Sequence, residues 1–193
     1  TAEWQIAACL HELIEKSTLK APAPKRLQAK LAAVEADQPY EYDQIQKEAI
    51  ELALTKPVMV LTGGPGNGKT TIVKGIVQTF LKLHPKAQPS DVLLVAPTGR
   101  AAKQISAVTG IEASTIHRLL GLTAEVTDET LVNEVHDELP GQLLIVDEMS
   151  MTSLTLFAAL LRAVGPKTRV VLVGDFDQLP SVGPGQVFRD LLA

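Results

Sequence analysis

One short segment constrains the fold of this chain more than any other: residues 63–70 read GGPGNGKT. The segment fits the phosphate-binding pattern G-x-x-x-x-G-K-S/T, in which glycines let the backbone wrap around a polyphosphate with its N–H groups turned inward. The apolar run at 58–61 predicts a buried strand before the loop, and the run at 71–77 predicts a helix after it. This order favours a nucleoside triphosphate site over an ordinary Gly/Pro turn between core elements.

The residues of this loop have distinct expected roles. Lys69 would reach the β- and γ-phosphates of the nucleotide, and the hydroxyl of Thr70 would bind the accompanying Mg²⁺ ion. The other expected nucleotide-binding residues of the loop are Gly64, Pro65, Gly66, Asn67, Gly68 and Thr71. Backbone N–H groups of such a loop, together with the helix N-terminus, provide the positive potential that a phosphate requires.

Apolar runs and helical segments alternate through the rest of the chain. Strands are predicted at 58–62, 92–96, 143–147 and 170–174, and helices at 69–83, 99–108, 115–120 and 152–164. This alternation indicates an α/β fold with a parallel sheet that is covered by helices on both faces. A length of 193 residues is enough for one such domain and a small appendage.

A short helical segment at residues 1–40 precedes this predicted core. Its composition and spacing indicate two helices, which the prolines at 21–24 separate because proline removes a backbone donor. A linker follows at 36–40, and another helix begins near Tyr42 with Asp43 as its N-cap. We therefore predict a domain at 41–193, preceded by the end of another region. Thr1 at the start, and a helix-like run at 189–193, lead us to expect a piece of a longer protein.

Composition and charge narrow the classes of protein that this chain can represent. Hydrophobic residues make up 46% of the chain and charged residues 21%, as is typical of a globular protein. A net charge of −4 argues against a chain that is basic throughout, but it permits a local nucleic-acid groove. No apolar run is long enough to span a bilayer, so we expect no membrane partner. The single cysteine, Cys9, fits a cytoplasmic location.

Two carboxylates stand at the end of the predicted strand 143–147. Ligands of open α/β sheets bind at the carboxyl ends of the strands, where Asp147 and Glu148 would lie. Asp147 can hold Mg²⁺ directly or through water, and Glu148 can orient and deprotonate an attacking water molecule. The alternative is that both acids cap a following helix near Ser150. The phosphate loop favours the catalytic interpretation.

The predicted strand at 170–174 leads into a second polar segment, GDFDQLPSV at 174–182. Asp175 and Asp177 could form a metal pair, but Gln178 is more informative. A neutral amide can donate to a γ-phosphate and accept from water, so it can respond to the bound nucleotide. Composition alone favours an ordinary loop here.

Five segments together resemble superfamily 1 DNA helicases in order and spacing. They are GGPGNGKTT (63–71), APTGRAAK (96–103), STIHRLL (114–120), LLIVDEMSM (143–151) and VVLVGDFDQLPSVGPG (170–185). Their details are similar to the RecD-like branch, which moves 5′ to 3′ on single-stranded DNA. The resemblance covers about residues 42 to 193. It implies a RecA-like first motor domain, ATP hydrolysis, and a role in DNA repair or recombination.

The resemblance also implies roles for individual residues. Lys69, Glu148 and Gln178 are the expected catalytic residues, and Gln178 would couple the γ-phosphate to DNA. Gln46 matches the family's adenine-recognising glutamine, so ATP or ADP is the expected nucleotide. The expected DNA contacts are Pro97, Thr98, Gly99, Arg100, Lys103, Thr115 and His117. Such contacts would be independent of sequence and sensitive to salt.

Further expectations concern the parts around this domain. Segment 121–141 falls where the branch carries a small protruding hairpin, but its acidity also fits a solvated loop. The family motor has a second motor domain that supplies an arginine to the transferring phosphoryl group. We therefore expect the chain alone to bind Mg·ATP, to hydrolyse it very slowly and to unwind nothing. The resemblance leaves open whether nuclease subunits are partners.

Two other functions stay as alternatives. A P-loop kinase or ligase would share the phosphate loop, but it would give no reason for the segments at 96–103 and 170–185. A non-catalytic nucleotide-binding subunit of a nuclease complex would not need Lys69, Asp147 and Glu148 intact. An ATP-dependent DNA helicase explains all of these features.

Overall fold

The structure, a computed structural model, describes residues 1–64, 66, 68–123, 130–131 and 137–175. Its elements in chain order are α1 (Ala2–Glu15), α2 (Pro24–Ala36), α3 (Gln44–Thr55), β1 (Val58–Thr62), α4 (Lys69–Leu83), β2 (Val92–Ala96), α5 (Gly99–Thr109), β3 (Ala113–Thr115), α6 (Ile116–Leu119), β4 (Leu143–Val146), α7 (Leu154–Arg162) and β5 (Arg169–Gly174). Short 3₁₀ helices at Pro89–Asp91 and Met149–Met151 precede β2 and α7.

The strands form one parallel sheet in the order β1-β5-β4-β2-β3. At the end of β1, Thr62 pairs with Gly174 of β5, and Val146 at the end of β4 pairs with Leu172 of β5. Because these strands run in the same direction, their carboxyl ends lie side by side at one edge of the sheet. The loop after β1 and the acids after β4 therefore meet at this edge.

Both faces of the sheet are buried, because alternate residues of a strand point to opposite sides. Leu143 and Ile145 of β4 belong to the apolar cluster that includes α2, α3 and α4. Leu144 and Val146 belong to a second cluster, which includes α1 and α7. The predicted parallel α/β sheet with helices on both faces is confirmed.

The predicted boundaries agree closely with the structure, with one omission. The strands at 58–62 and 92–96 are as predicted, and β4 and β5 differ from prediction by one residue. Strand β3, at Ala113–Thr115, was missed because three residues are too short for an alternating pattern to be recognised. Helix α6 begins only at Ile116, since the hydroxyl oxygen of Thr115 caps it by accepting from the Arg118 N–H at 3.2 Å.

The first two helices lie on opposite faces of the sheet. Helix α1 buries Ile6 and Leu13 in the cluster shared with α7. Helix α2 buries Leu27 and Leu31 in the cluster shared with α4. The segment 1–40 thus supplies part of both layers that cover the sheet. The domain boundary near residue 40 stays a prediction.

Two other sequence-based predictions concern segment 121–141 and the absence of a membrane span. Most of 121–141 lies outside the described residues, so the predicted hairpin stays a prediction. Across the residues that the structure describes, no helix has the length and apolar character needed to cross a bilayer.

Candidate functional site

The loop between β1 and α4 turns sharply into the helix through two left-handed glycines. Gly66 has φ of +77° and Gly68 has φ of +76°, a region that glycine enters without steric cost. Helix α4 begins at Lys69, directly after Gly68. The unpaired N–H groups of the first turn of α4 therefore face the loop, as a phosphate-binding site requires.

Lys69 folds back over this loop. Its Nζ donates to the carbonyl oxygen of Gly63 and, at 2.8 Å, to that of Gly64. Both acceptors are neutral, and an ammonium bonds more strongly to an anionic oxygen. A phosphate group that enters the loop would therefore compete well for this ammonium.

Gln46 is positioned next to the loop by the start of α3. It forms a capping box with Asp43: the Gln46 N–H donates to Asp43 Oδ1 at 2.8 Å, and the Asp43 N–H donates to Gln46 Oε1 at 3.0 Å. A Cβ on residue 68 would lie 2.7 Å from Gln46 Nε2, so this amide nitrogen lies directly beside Gly68. The prediction that Asp43 caps α3 is confirmed, and Gln46 is half-buried rather than fully exposed.

The two acids lie immediately after β4. The Asp147 N–H donates to the Val95 carbonyl at 2.8 Å, and Asp147 Oδ1 accepts from the Glu148 N–H at 2.9 Å. Burial raises the pKa of Asp147, against the opposing effects of the Glu148 N–H and the Lys69 charge. Burial also raises the pKa of Glu148, Asp147 raises it further by charge repulsion, and Arg100 opposes the rise.

The backbone of Glu148 adopts a conformation that non-glycine residues rarely adopt. Its φ of 51° and ψ of 44° are left-handed, and it is the only non-glycine residue with positive φ in the described ranges. Its side chain makes no capping bond to the 3₁₀ helix that follows. The hydroxyl of Ser153 caps α7 instead. The alternative that the two acids cap a helix is therefore not supported.

Loop, helix and acids surround one cavity of about 430 Å³, within the size range of small-molecule sites. Its lining includes Lys69, Thr70, Asp147 and Glu148. Gly174 at the carboxyl end of β5, Asp175 after it, and Gln104 and Ile105 of α5 complete the lining. Sequence reasoning did not identify Gln104. The available signal was its spacing of four residues from Arg100, which places both on one face of α5.

The donor atoms at the cavity suit a Mg²⁺ ion that accompanies a nucleotide. Thr70 offers an exposed hydroxyl and Asp147 a half-buried carboxylate in the same cavity. Magnesium prefers oxygen ligands and often uses only one or two protein ligands, with water and phosphate completing the shell. In the described part of the chain, no group of three or more His, Cys, Asp or Glu residues could hold a metal. A nucleotide-bound magnesium does not need such a group.

The residues expected to contact DNA lie at the same edge of the sheet. Ala96 at the end of β2 pairs with Thr115 at the end of β3, so the two predicted segments are neighbours. Thr98 caps α5 through its hydroxyl oxygen, which accepts from the Ala101 N–H at 3.3 Å. Its hydroxyl hydrogen is still available to a phosphate. Pro97 is half-buried, whereas Gly99, Arg100, Lys103 and His117 are exposed.

Of the remaining predicted site residues, the structure describes Thr71 but not Pro65, Asn67 or Gln178. Thr71 is half-buried in the first turn of α4. Pro65, Asn67 and Gln178 lie outside the described residues, so their predicted roles stay predictions.

Comparison with known proteins agrees with this geometry. Residues 46–184 match the family model described as an AAA domain. The chain is 41% identical over 165 residues to the RecBCD enzyme subunit RecD of Mycolicibacterium smegmatis. The match covers 76% of this chain and 30% of that protein. It is 45% identical over 128 residues to the ATP-dependent RecD2 DNA helicase of Deinococcus radiodurans. That match covers 66% of this chain and 17% of the helicase.

A solved structure shows the same fold. The Pif1 helicase from Candida albicans matches with a TM-score of 0.56 and 24% identity over 75% of this chain and 34% of that one. The RecA-like α/β fold is therefore confirmed, as is the resemblance to RecD-like helicases that the five segments indicated. The chain spans 30% and 17% of the two curated relatives described above. With its phosphate loop inside the matched range, the chain belongs to the AAA domain family of nucleotide-binding proteins.

Proposed function

We propose that this chain contains the first motor domain, at 41–193, of an ATP-dependent DNA helicase that moves 5′ to 3′ on single-stranded DNA. The observation that most supports the proposal is the shared cavity of about 430 Å³ between Lys69, Asp147 and Glu148. The helix that carries Arg100 lines the same cavity one turn later, through Gln104. This placement supports a proposed nucleotide site that shares one wall with the candidate DNA-binding helix.

Nucleotide binding in this proposal depends on the loop and on Gln46. The ammonium of Lys69 exchanges its carbonyl partners for β- and γ-phosphate oxygens. Gln46 keeps its Oε1 on the Asp43 N–H, which leaves both Nε2 hydrogens for an adenine nitrogen. The second lone pair of Oε1 can accept from the adenine amino group.

Thr70 and Asp147 would hold Mg²⁺, which when bound neutralises phosphate charge. Glu148 is the proposed general base, because it lies in the cavity and its raised pKa makes it a stronger base than an exposed glutamate. Gln178 would sense the γ-phosphate, a role that we carry over from the family resemblance alone.

The proposed DNA contacts are the exposed residues after β2 and β3 together with the caps Thr98 and Thr115. Hydroxyl and backbone N–H groups bind phosphates without reading bases, as a translocating protein requires. Segment 1–40 would serve as packing for the motor core. A second motor domain is the proposed partner that supplies an arginine to the site.

Two further proposals concern partner subunits and cellular location. The name of the relative RecBCD enzyme subunit RecD makes other protein subunits candidate partners. A cytoplasmic location is proposed because the sequence has a single cysteine, Cys9, and low cysteine content fits a reducing compartment.

A turnover assay with and without single-stranded DNA tests the core of this proposal. The chain alone should bind ADP and ATP with Mg²⁺ and hydrolyse ATP very slowly, and DNA should not stimulate it. Stimulation by DNA in the chain alone would contradict the need for a second motor domain. The longer protein should unwind 5′-tailed duplexes and not 3′-tailed ones. Transfer of the γ-phosphate to a small acceptor would favour the kinase alternative instead.

A further inference from the structure

A second cavity, of about 680 Å³, lies at the opposite edge of the sheet from the nucleotide site. It is bounded by the linker between α1 and α2, the carboxyl end of α4, and the segments that lead into β4 and β5. The predicted DNA contacts and the phosphate loop lie at the other ends of the strands. This cavity therefore belongs to neither of those sites.

Among the described residues, every charged or titratable side chain that lines this cavity is basic: Lys20, Arg26, His84, Lys167 and Arg169. The whole chain has 18 Lys and Arg residues but 22 Asp and Glu residues. A lining without any acid is therefore a local concentration of positive charge in an acidic chain. Local fields of this kind attract anions regardless of the net charge.

Arg169 is the most deeply placed of these groups, with 5% of its surface exposed. Its guanidinium donates to the Lys56 carbonyl at 3.1 Å and to the Lys20 carbonyl at 2.9 Å. Both acceptors are neutral, and no carboxylate of the described chain forms an ion pair with Arg169. Burial lowers its pKa from the ordinary value. The bonds fix the linker as one wall of the cavity but leave the positive charge uncompensated.

Arg26 extends this positive region, and the imidazole of His84 lies beside it. The guanidinium of Arg26 donates to the Leu83 carbonyl at 2.7 Å, again a neutral acceptor. Burial, followed by the charges of Arg26 and Arg169, lowers the pKa of His84. The simplest structural role for Arg26 is to stabilise the carboxyl end of α4, where carbonyl groups accumulate negative potential. That role does not account for Lys20 and Lys167, which are exposed and form no ion pair with a described residue.

We propose that this cavity binds a small phosphate-type anion with two or more negative charges. The buried guanidinium of Arg169 would supply the fixed field, and the ammonium groups of Lys20 and Lys167 would close on the anion from the rim. His84 would donate a hydrogen bond from its imidazole. A small anion suits the cavity better than a nucleic acid strand, because the candidate DNA contacts lie at the opposite edge of the sheet. The basic lining is independent of the proposed helicase function, and only the preference for a small anion over a nucleic acid strand rests on the DNA contacts proposed there.

The test is a titration of inorganic pyrophosphate into the Lys69→Ala variant, whose phosphate loop no longer competes. Pyrophosphate should bind and should shift the imidazole resonances of His84, while those of His11 stay in place. Lys20→Gln/Lys167→Gln in that background should weaken binding roughly tenfold or more, because two ammonium groups are lost near the anion. The exposed residues Lys25 and Lys86 lie outside the cavity lining, so Lys25→Gln/Lys86→Gln is the matched control.

The control pair should change pyrophosphate affinity less than about twofold, since exposed charges outside the lining are screened by water and salt. Three results would overturn the inference. They are equal weakening by both lysine pairs, an unmoved His84 resonance at saturation, and displacement of pyrophosphate by an oligonucleotide that carries no terminal phosphate. The substituted lysines are exposed, so both pairs should fold, and thermal unfolding curves that match the parent variant establish this.

Discussion

The side-chain nitrogen Nε2 of Gln46 lies so close to Gly68 that a Cβ on residue 68 would sit 2.7 Å from it. Asp43 holds Gln46 in this position through reciprocal bonds of 2.8 and 3.0 Å. The residue proposed to recognise the base is thereby fixed against the loop proposed to bind the phosphates. The start of α3 and the start of α4 are thus neighbours, and a side chain at residue 68 would have to displace the Gln46 amide as well as adopt a left-handed φ.

Gly68→Ala and Gly66→Ala should have different effects on base selectivity. Both residues have left-handed φ, so alanine costs roughly 1–2 kcal/mol of backbone strain at either position. Only at residue 68 would the new methyl group meet Gln46, since a Cβ at residue 66 meets nothing within 4 Å. Calorimetric titrations with ADP and GDP should therefore show reduced preference for ADP in Gly68→Ala alone.

A double-mutant cycle separates this effect from general damage to the loop. Gln46→Ala should be strongly coupled to Gly68→Ala and uncoupled from Gly66→Ala, because only residues in contact show interaction energies. An equal ADP-to-GDP ratio in the two glycine variants would exclude Gln46 as the source of base selectivity.

Lys69→Ala should abolish nucleotide binding. Among the described residues, Lys69 is the one lysine that lines the proposed nucleotide cavity, and its ammonium bonds there to the neutral carbonyls of Gly63 and Gly64. Its loss removes the positive charge that would contact the β- and γ-phosphates. Fluorescence titration with a labelled ADP measures the effect. The matched control is Lys74→Ala, on α4 but outside this cavity, which should bind ADP like the unmodified chain.

Glu148→Gln should separate binding from hydrolysis in the longer protein that contains both motor domains. An amide has the same shape as the carboxylate but cannot accept the proton of the attacking water, so turnover should fall by about 10²–10⁴-fold. Nucleotide affinity should change by less than about twofold, because the phosphate contacts are retained. Steady-state turnover and ADP binding are measured side by side. Wild-type turnover in this variant would remove Glu148 from the role of base.

Most strands of the sheet could be predicted from the sequence, but the shortest strand and the order of the strands could not. Long apolar runs such as 143–146 identify strands because every residue there is buried in one of the two clusters. Strand β3 escaped detection because it has three residues, and its pairing with β2 depends on a tertiary contact. Sheet order was likewise inaccessible, since no local pattern encodes that β5 lies between β1 and β4.

For the site, the residue types were predictable but their conformations were not. The sequence predicts that Asp147 and Glu148 follow a strand, and the structure places both in the cavity. It gives no indication that Glu148 has a φ of 51°, because glutamate rarely adopts this conformation. Gln104 escaped attention for a different reason. Its spacing of four residues from Arg100 places it on the same face of α5, but its place in the cavity depends on how α5 packs on β2, which no local pattern encodes.

Gly99→Ala should weaken DNA binding without loss of stability. A Cβ at residue 99 would meet nothing within 4 Å, and its φ lies outside the left-handed region. Alanine in a helix is favoured over glycine by up to about 1 kcal/mol, so the free energy of unfolding should stay level or rise. A methyl group at this exposed position would obstruct a DNA phosphate that approaches the start of α5. Fluorescence anisotropy with a labelled single strand measures the loss.

Gly110→Ala is the control for Gly99→Ala and should have the reverse effects on stability and DNA affinity. Gly110 ends the same helix with φ of +72°, so alanine should destabilise the fold through backbone strain. It should leave DNA affinity unchanged, because residue 110 lies at the other end of α5. Unchanged DNA affinity in Gly99→Ala would remove the start of α5 from the DNA interface.

The environment of Tyr42 leads us to expect a lower free energy of unfolding at alkaline pH. Its side chain is buried, and its hydroxyl forms no hydrogen bond with any residue that the structure describes. Burial raises the pKa of Tyr42 to about 12, and the nearby Tyr40 and Glu35 add to the rise. The unfolded chain loses this proton near pH 10, whereas the folded chain keeps it until about pH 12. The free energy of unfolding should therefore decrease as pH rises through this window.

Tyr42→Phe should remove this part of the alkaline instability. At neutral pH its free energy of unfolding should equal that of the unmodified chain or exceed it by up to about 1 kcal/mol, because a buried hydroxyl without a partner costs free energy. Urea unfolding at about pH 8 and about pH 11 measures the difference. Tyr40→Phe, at a position that is 38% exposed, is the control and should keep the decline. An equal decline in Tyr42→Phe and the unmodified chain would show that the Tyr42 proton does not contribute.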